Sequence, residues 1–226
     1  MLFDVTGVLM RPAEPVGQTY SRVAAEHGVE LSAERLDDAF PRILQRMPAR
    51  VFPAEPAAEV PARERAWWRE VVRQTFQAAR PGVRFDDFDS FFAALYDGFA
   101  RPDAWRLAPG ASDALVDLRA LGLATGAVSN FDHRLPNLLE ALGIEPLLDT
   151  VVIPAGCGHA KPDKAIFQFA LDALGVAPGA AIHVGHDPVA DEAGALGAGL
   201  RVLMWTRSDN LASLPARLRA VATLDP

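Results

Sequence analysis

The feature that most constrains the fold is an alternation of strand-like and helical patterns from about Trp105 onward. Short apolar runs predict strands, and longer runs with helical spacing follow them. Gly122, Gly143 and Gly175 each come directly after a helical run, where a helix is expected to end. Alternating strands and helices predict a parallel sheet with helices on both faces, a doubly wound α/β core. The predicted strands begin at Leu123, Val151, Ala181 and Leu200, and the predicted helices span 109–121, 132–142, 163–174, 190–198 and 214–220.

Residues 13–102 follow a different pattern, because apolar side chains recur there at helical spacing around Tyr20, Trp68 and Phe92. The run from Pro48 to Pro61 holds four prolines and is not expected to form regular helix. The segment therefore predicts a helical insertion between the first strand and the rest of the sheet. A plain N-terminal helical domain is the alternative, but it would separate Asp4 from the later strand ends. The expected boundaries are a core of residues 1–12 and 103–226 and an insertion of residues 13–102.

Polar side chains of types that take part in catalysis follow the predicted strands in order along the chain. Asp4 ends a short apolar strand, and Ser129 and Asn130 follow the strand that begins at Leu123. Lys161 precedes a helix, and a Gly-His-Asp loop follows the strand that begins at Ala181. Because ligands of parallel sheets bind beyond the carboxyl ends of the strands, these side chains are expected to meet in one site.

An aspartate, a serine, a lysine and an acidic loop in this order resemble the motifs of the haloacid dehalogenase superfamily. The resemblance extends over almost the whole chain, and it implies a Rossmann-like core whose inserted helical cap closes over the active site. The stretches 14–20 and 65–76 are similar to one subfamily that is named by homology and has no settled substrate. The family carries more strand residues before the aspartate, so either the first strand is short or the true start lies upstream.

The resemblance also implies roles for individual residues. Asp4 is the expected nucleophile, which forms a covalent ester that water then cleaves. Ser129, Asn130 and Lys161 are expected to hold an anionic group, because charge stabilisation dominates phosphoryl transfer. Arg11 is a further basic candidate close after the nucleophile. The implied activity is hydrolysis of a small phosphorylated metabolite through a phospho-aspartate.

Thr6 is the first departure from the family pattern. The phosphatases of the superfamily carry a second aspartate at this position, which serves as general acid and base. A threonine cannot act as a general acid or base near neutral pH. A positioned general acid or base typically accelerates a reaction ~10²–10⁴-fold. Thr6 therefore permits phosphorylation of the nucleophile and predicts slow turnover.

His186 is the second departure, because the family has an acidic Mg²⁺ ligand at this position. Mg²⁺ prefers oxygen ligands in octahedral geometry, which an imidazole supplies poorly. The expected metal ligands are therefore Asp4, Thr6, Asp187 and Asp191, with Mg²⁺ as the expected ion. Mn²⁺, Zn²⁺ or no metal at all are the alternatives, and a loop imidazole without a ligand is a further one.

Two other functions remain open at this point. The dehalogenases of the superfamily lack both the second aspartate and the metal, so dehalogenation is an alternative to phosphate hydrolysis. A catalytically impaired relative that serves as a binding or scaffold protein is a third possibility. Dependence on a metal ion separates the first two, and turnover separates both from the third.

Composition excludes several classes of partner. A net charge of −7 argues against nucleic acid or an anionic membrane as the main partner. The chain holds no apolar run near the ~20 residues that a membrane span needs. Its first residues do not show the basic segment followed by an apolar stretch that is typical of a secretory signal, so we expect none. Cys157 is the only cysteine, which fits a cytoplasmic protein, and it is either a reactive thiol or an incidental small residue.

Overall fold

A computed structural model describes residues 1–52, 56–206 and 209–222 of the chain. The chain divides into two compact units. The first is built from Met1–Arg11, Val51–Pro53 and Leu107–Pro226, and the second from Pro12–Arg50 and Ala54–Arg106.

The first unit holds a five-stranded parallel sheet with the order β5-β4-β1-β6-β7. These strands are β1 (Leu2–Phe3), β4 (Gly126–Val128), β5 (Thr150–Val152), β6 (Ile182–Gly185) and β7 (Arg201–Met204). Its helices are α5 (Ala111–Ala120), α6 (Leu135–Ala141), α7 (Pro154–Cys157), α8 (Lys164–Leu174), α9 (Gly194–Gly197) and α10 (Leu214–Ala222). A π-helical segment spans Pro188–Ala193, and 3₁₀ turns span Glu145–Leu147, Pro178–Ala180 and Leu211–Ser213. The predicted doubly wound α/β core is confirmed.

The position of β1 decides where the site lies. From β1 the chain continues to β4 and β5 on one side, and it then returns to β6 and β7 on the other. The strand order therefore reverses between β1 and β6, and such a switch point opens a crevice beyond the carboxyl ends of the strands. Asp4 follows β1 and His186 follows β6 directly, so both residues lie at this crevice.

A hydrophobic core of the first unit lies between one face of the sheet and α8. Apolar side chains of β1, β4 and β5 pack there with one face of that helix, which buries Ile166, Phe167, Ala170 and Leu171. The spacing of these four residues is that of one helical face. Burial on this face fixes α8, and with it the loop that carries Lys161 just before the helix.

The second unit is helical and has an aromatic core. It contains α1 (Val16–Glu26), α2 (Ala33–Arg46), α3 (Val60–Ala79), α4 (Phe88–Gly98) and a 3₁₀ turn at Pro102–Ala104. Phe76 is 1 % exposed and contacts the rings of Tyr20, Phe85 and Phe91 at centroid distances of 6.0, 5.2 and 5.2 Å. The buried aromatic members of this core are Tyr20, Phe76, Phe91, Phe92 and Tyr96, and each such side chain buries a large apolar area.

Strands β2 (Met10–Pro12) and β3 (Trp105–Leu107) pair where the chain leaves and re-enters the first unit. The amide of Ala108 donates to the carbonyl of Leu9 at 2.9 Å, and the amide of Ala13 donates to that of Ala104 at 2.8 Å. Within the described residues, no helix combines the length and apolar character that crossing a membrane requires.

Candidate active site

Asp4 lies at the carboxyl end of the central strand. Its amide donates to the carbonyl of Val184 at 2.9 Å, so the backbone continues the β1–β6 pairing up to the aspartate. The residue is 5 % exposed, although a lone aspartate is among the side chains least often buried. Its carboxylate must therefore be compensated by partners within the site.

A tight turn follows Asp4 and brings the chain close to the loop after β6. Gly7 adopts φ +100°, a conformation that side-chain-bearing residues rarely take, and its amide donates to the carbonyl of Met10 at 2.8 Å. A Cβ at this position would lie 2.9 Å from the imidazole of His186. Gly7 is thus required both by its backbone angle and by the approach of the His186 ring.

Lys161 is the central cation of the site. Its Nζ donates to Asp4 Oδ1 at 2.7 Å and to Asp191 Oδ1 at 2.6 Å, and the residue is 6 % exposed. Burial disfavours the ammonium, but the charges of Asp4 and Asp191 outweigh it and raise the pKa of Lys161. The lysine is therefore a permanent cation that joins the two carboxylates.

Asn130 fixes the backbone that carries this lysine. Its amide group donates from Nδ2 to the carbonyl of Lys161 and accepts at Oδ1 from the Lys161 amide, both at 2.8 Å. Asn130 is the second residue after β4, so one side chain joins the end of a strand to the loop before α8. This holds the ammonium in position without a ligand.

Asp191 uses both of its oxygens. Oδ1 contacts Lys161 Nζ and lies 3.0 Å from Nε2 of His183, and Oδ2 accepts the amides of His186 and Asp187 at 2.9 and 3.0 Å. Burial alone would raise the pKa of Asp191. The interactions with His183 and Lys161 outweigh this effect, and the pKa of Asp191 is lowered. A Cβ at Gly185 would stand 2.2 Å from Asp191 Cβ, so this packing also needs a glycine.

His183 supports Asp191 from inside the sheet. It lies in β6, is fully buried and packs edge-on against Phe167 at 5.1 Å. Its Nδ1 has no hydrogen-bond partner among the described residues, and burial lowers the pKa of the imidazole. The neutral ring must donate from Nε2, because a carboxylate can only accept. The sequence places His183 inside a predicted strand, but it does not indicate that Asp191 is its partner.

His186 faces both carboxylates from the solvent side. Its Nδ1 lies 3.0 Å from Asp4 Oδ2 and 3.5 Å from Asp191 Oδ2, and its side chain is 43 % exposed. Because the carboxylate only accepts, Nδ1 carries a proton. The hydrogen bond with Asp4 raises the pKa of His186, which favours the imidazolium.

The remaining predicted site residues lie around this cluster in different ways. Ser129 is buried beyond β4, and its Oγ accepts the amide of Phe131 at 3.3 Å. Thr6 is half-buried in the turn and bridges to Met10 through its backbone, and Arg11 is exposed in β2. Among the described residues, the hydrogen bonds and ion pairs that join Asp4, Lys161 and Asp191 involve neither Thr6 nor Arg11.

Asp187, a predicted metal ligand, caps a helical segment through one carboxylate oxygen. Its Oδ1 accepts the amides of Val189 and Ala190 at 2.8 and 2.7 Å, which caps the π-helical segment. Its neighbour His186 contacts both Asp4 and Asp191, as Lys161 does. The ligand atoms of Asp4, His186 and Asp191 lie within 4.8 Å of one another.

This donor set does not fit Mg²⁺. One oxygen of each carboxylate is bound to Lys161, and the second oxygen of Asp191 already accepts two backbone amides. The third donor is a protonated imidazole nitrogen that is itself bonded to Asp4. Mg²⁺ demands near-ideal octahedral oxygen coordination, which these groups do not offer.

Comparisons with known proteins identify the family of the chain. A family model described as haloacid dehalogenase-like hydrolase matches residues 1–199. Haloacid dehalogenase-like hydrolase domain-containing protein 3 from Xenopus laevis is 38 % identical over 190 residues, which cover 84 % of this chain and 76 % of that protein.

Two solved structures show the same fold. A haloacid dehalogenase-superfamily (HAD) phosphatase from Thermococcus onnurineus superposes with a TM-score of 0.62 at 21 % identity, covering 96 % of each chain. L-2-haloacid dehalogenase from Xanthobacter autotrophicus superposes with a TM-score of 0.69 at 21 % identity, covering 100 % of this chain and 83 % of that one. The family model and the Xenopus relative establish that the chain belongs to the haloacid dehalogenase-like hydrolases.

Proposed function

We propose that this chain is a cytosolic hydrolase that cleaves a small phosphorylated metabolite through an ester on Asp4. The observation that carries the proposal is the contact of Lys161 Nζ with both Asp4 and Asp191 at a switch point of the sheet. The family implies a small-molecule substrate. In this proposal Lys161 holds the nucleophile and adds positive charge beside the group that is transferred.

The reaction has two steps. A carboxylate oxygen of Asp4 bonds to phosphorus while the bond from phosphorus to the leaving oxygen breaks; that oxygen keeps the electron pair and takes a proton from solvent to leave as an alcohol. Water then attacks phosphorus, inorganic phosphate leaves and the carboxylate of Asp4 is regenerated. We propose that Ser129 donates its hydroxyl hydrogen to the phosphoryl group, and that Asn130 acts through the Lys161 backbone that it holds.

Thr6 sets the expected rate. It occupies the position of the family's second aspartate, and it cannot exchange a proton with the leaving group near neutral pH. We therefore expect turnover to be slower by about 10²-fold or more than a site with that carboxylate would give. The second unit is, in this proposal, a cap that selects the substrate.

Dehalogenation is the second candidate, because one observation favours it. The imidazole at His186 leaves the site without the ligands of Mg²⁺, and a carboxylate can displace a halide from carbon without a metal. In that case Asp4 forms an alkyl ester, and the halide leaves with the electron pair of its bond to carbon.

The fate of the water oxygen distinguishes the two reactions. Water attacks a phospho-aspartate at phosphorus, so ¹⁸O from labelled water enters inorganic phosphate. It attacks an alkyl ester at the acyl carbon, so ¹⁸O enters Asp4 itself. Single-turnover reactions of excess protein with phosphate esters or 2-halo acids, followed by mass spectrometry of phosphate and of the Asp4 peptide, measure both.

We expect labelled phosphate and an unlabelled Asp4 peptide, and we expect Asp4→Asn to abolish turnover. Asp172→Asn is the matched control, since Asp172 is an exposed aspartate of α8 outside the site. A labelled Asp4 peptide would establish the dehalogenase reaction instead. If neither panel shows turnover that depends on Asp4, the chain is a binding or scaffold protein.

A further inference from the structure

We infer that His186 takes the place of the divalent cation in this site, so that the chain holds its carboxylates together without a metal. The inference starts from the geometry of the ring. Nδ1 lies 3.0 Å from Asp4 Oδ2 and 3.5 Å from Asp191 Oδ2, which are the two carboxylate oxygens that do not contact Lys161. These oxygens are the ones a bridging ion would need.

The charges of the cluster lead to the same inference. Asp4 and Asp191 are two carboxylates and Lys161 is one cation, so these three side chains carry one negative charge in excess, and Nδ1 of His186 faces it. His183 adds no charge, because burial keeps its ring neutral. An acidic residue at position 186 would instead leave two negative charges in excess, which is the charge that a divalent ion neutralises.

The backbone at Gly7 leaves space for the His186 imidazole. The missing side chain of Gly7 leaves room for the imidazole, whose atoms lie within 2.9–3.0 Å of where a Cβ would stand. On its other side the loop is fixed, since the amides of His186 and Asp187 both donate to Asp191. The ring is therefore held between two rigid backbone segments and over both carboxylates.

The inference concerns the same site as the proposed function, and only its activity measurement rests on that proposal. Its main test is metal binding by the whole chain. His186→Asp restores a carboxylate where the ring was, and it brings three carboxylates together with one lysine. We expect this variant to gain affinity for Mg²⁺ and Mn²⁺, because ligand charge tunes the affinity of oxygen sites.

The measurement is thermal unfolding with and without Mg²⁺, supported by calorimetric titration with Mn²⁺. His186→Asp should rise in Tm by on the order of 2–4 °C at Mg²⁺ several-fold above its dissociation constant. The native chain should show neither a shift nor Mn²⁺ binding. His159→Asp is the matched control, because His159 is 46 % exposed and also pairs with an aspartate, Asp163, at 2.9 Å. It should behave like the native chain.

Two results would overturn the inference. One is Mn²⁺ binding by the native chain that Asp191→Asn removes. The other is a folded His186→Asp variant that shows no Mg²⁺ shift, since His186 would then not be what replaces the ion. Where turnover is found, EDTA should leave the native rate unchanged, and a loss of rate would count against the inference. If no Asp4-dependent turnover exists, the proposed function fails while the melting experiment still decides this one.

Discussion

Among single residues, Asp191 is the most restrained side chain of the site. Lys161, His183 and two backbone amides satisfy its oxygens, and it is 1 % exposed. A buried carboxylate with this many donors is an anchor, because removing any one of them leaves charge uncompensated. The half-exposed residue of the cluster is His186, which makes it the residue whose charge state responds to pH.

The stability of the chain should therefore depend on the protonation of His186. Asp4, Asp191 and Lys161 face the ring, and the hydrogen bond with Asp4 raises its folded pKa above the unfolded value of about 6.5. A raised pKa gives stabilisation that is complete below that value and is lost as pH rises through the folded pKa. We expect the free energy of unfolding to fall as pH rises above about 6.5.

Urea denaturation between about pH 6.5 and 8.5 measures this decline, and His186→Gln should remove it. Other groups contribute equally to the native chain and to the His186→Gln variant, so the difference between the two isolates His186. Burial lowers the pKa of the Met1 amine from 8.0, so its contribution rises with pH in this window and opposes the decline in both chains. His183 has a lowered pKa, so its contribution is complete once pH exceeds the unfolded value of about 6.5. Burial raises the pKa of the Cys157 thiol, so its contribution is lost only as pH passes the unfolded value of about 8.5. A decline of equal size in the His186→Gln variant would show that another group titrates.

Among the elements, the helices of the second unit depend most on one aromatic side chain. Phe76 in α3 contacts rings from α1, from α4 and from the loop before α4. Such a residue joins segments that are far apart in sequence. Its removal leaves a cavity that surrounding rings fill only in part.

Phe76→Ala should lower the free energy of unfolding by about 3–5 kcal/mol. Phe169→Ala in α8 is the matched control, because Phe169 is 49 % exposed and should change stability by no more than about 0.5 kcal/mol. Urea denaturation followed by fluorescence and circular dichroism compares the two variants with the native chain. Equal losses in both variants would contradict the assignment of Phe76 to the core.

At the scale of the whole molecule, the pairing of β2 with β3 holds the two ends of the inserted segment close together. The hydrogen bonds of Leu9 with Ala108 and of Ala13 with Ala104 bring both ends of the insertion together. Close ends are typical of insertions that the host fold tolerates. The first unit also contains every residue of the Asp4–Lys161–Asp191 cluster.

Replacing residues 14–103 with a short Gly/Ser turn removes most of the second unit together with Val51–Pro53 of the first. The strands and helices of the first unit all remain, so we expect the shortened chain to fold as an α/β unit. We expect cooperative unfolding and a circular dichroism spectrum with parallel-sheet and helix signals. If the second unit is a substrate-selecting cap, the shortened chain should discriminate less among phosphate esters than the full chain does. A shortened chain that is unfolded at room temperature would show that the core needs the insertion.

The sequence predicts the core better than it predicts the site. Alternating apolar runs specify the parallel sheet, because each strand and helix must bury its own apolar face. The strand after α5 is shorter than expected, since Leu123 is 41 % exposed and the strand begins at Gly126. Chain order also predicts that Asp4 and Lys161 converge. It cannot predict the bonds of His183 and His186 to the carboxylates, which depend on side-chain directions across two strands and a loop.

Gly7 leaves enough space for different side chains to occupy position 186 during evolution. Its φ of +100° requires glycine whatever residue stands opposite, so the space beside it exists independently of His186. An ancestor with an acidic residue at position 186 would have had the same empty space. A single substitution to histidine could then enter without steric conflict and without a compensating change elsewhere. Loss of a metal from such a site is thus a one-step change that the fold already accommodates.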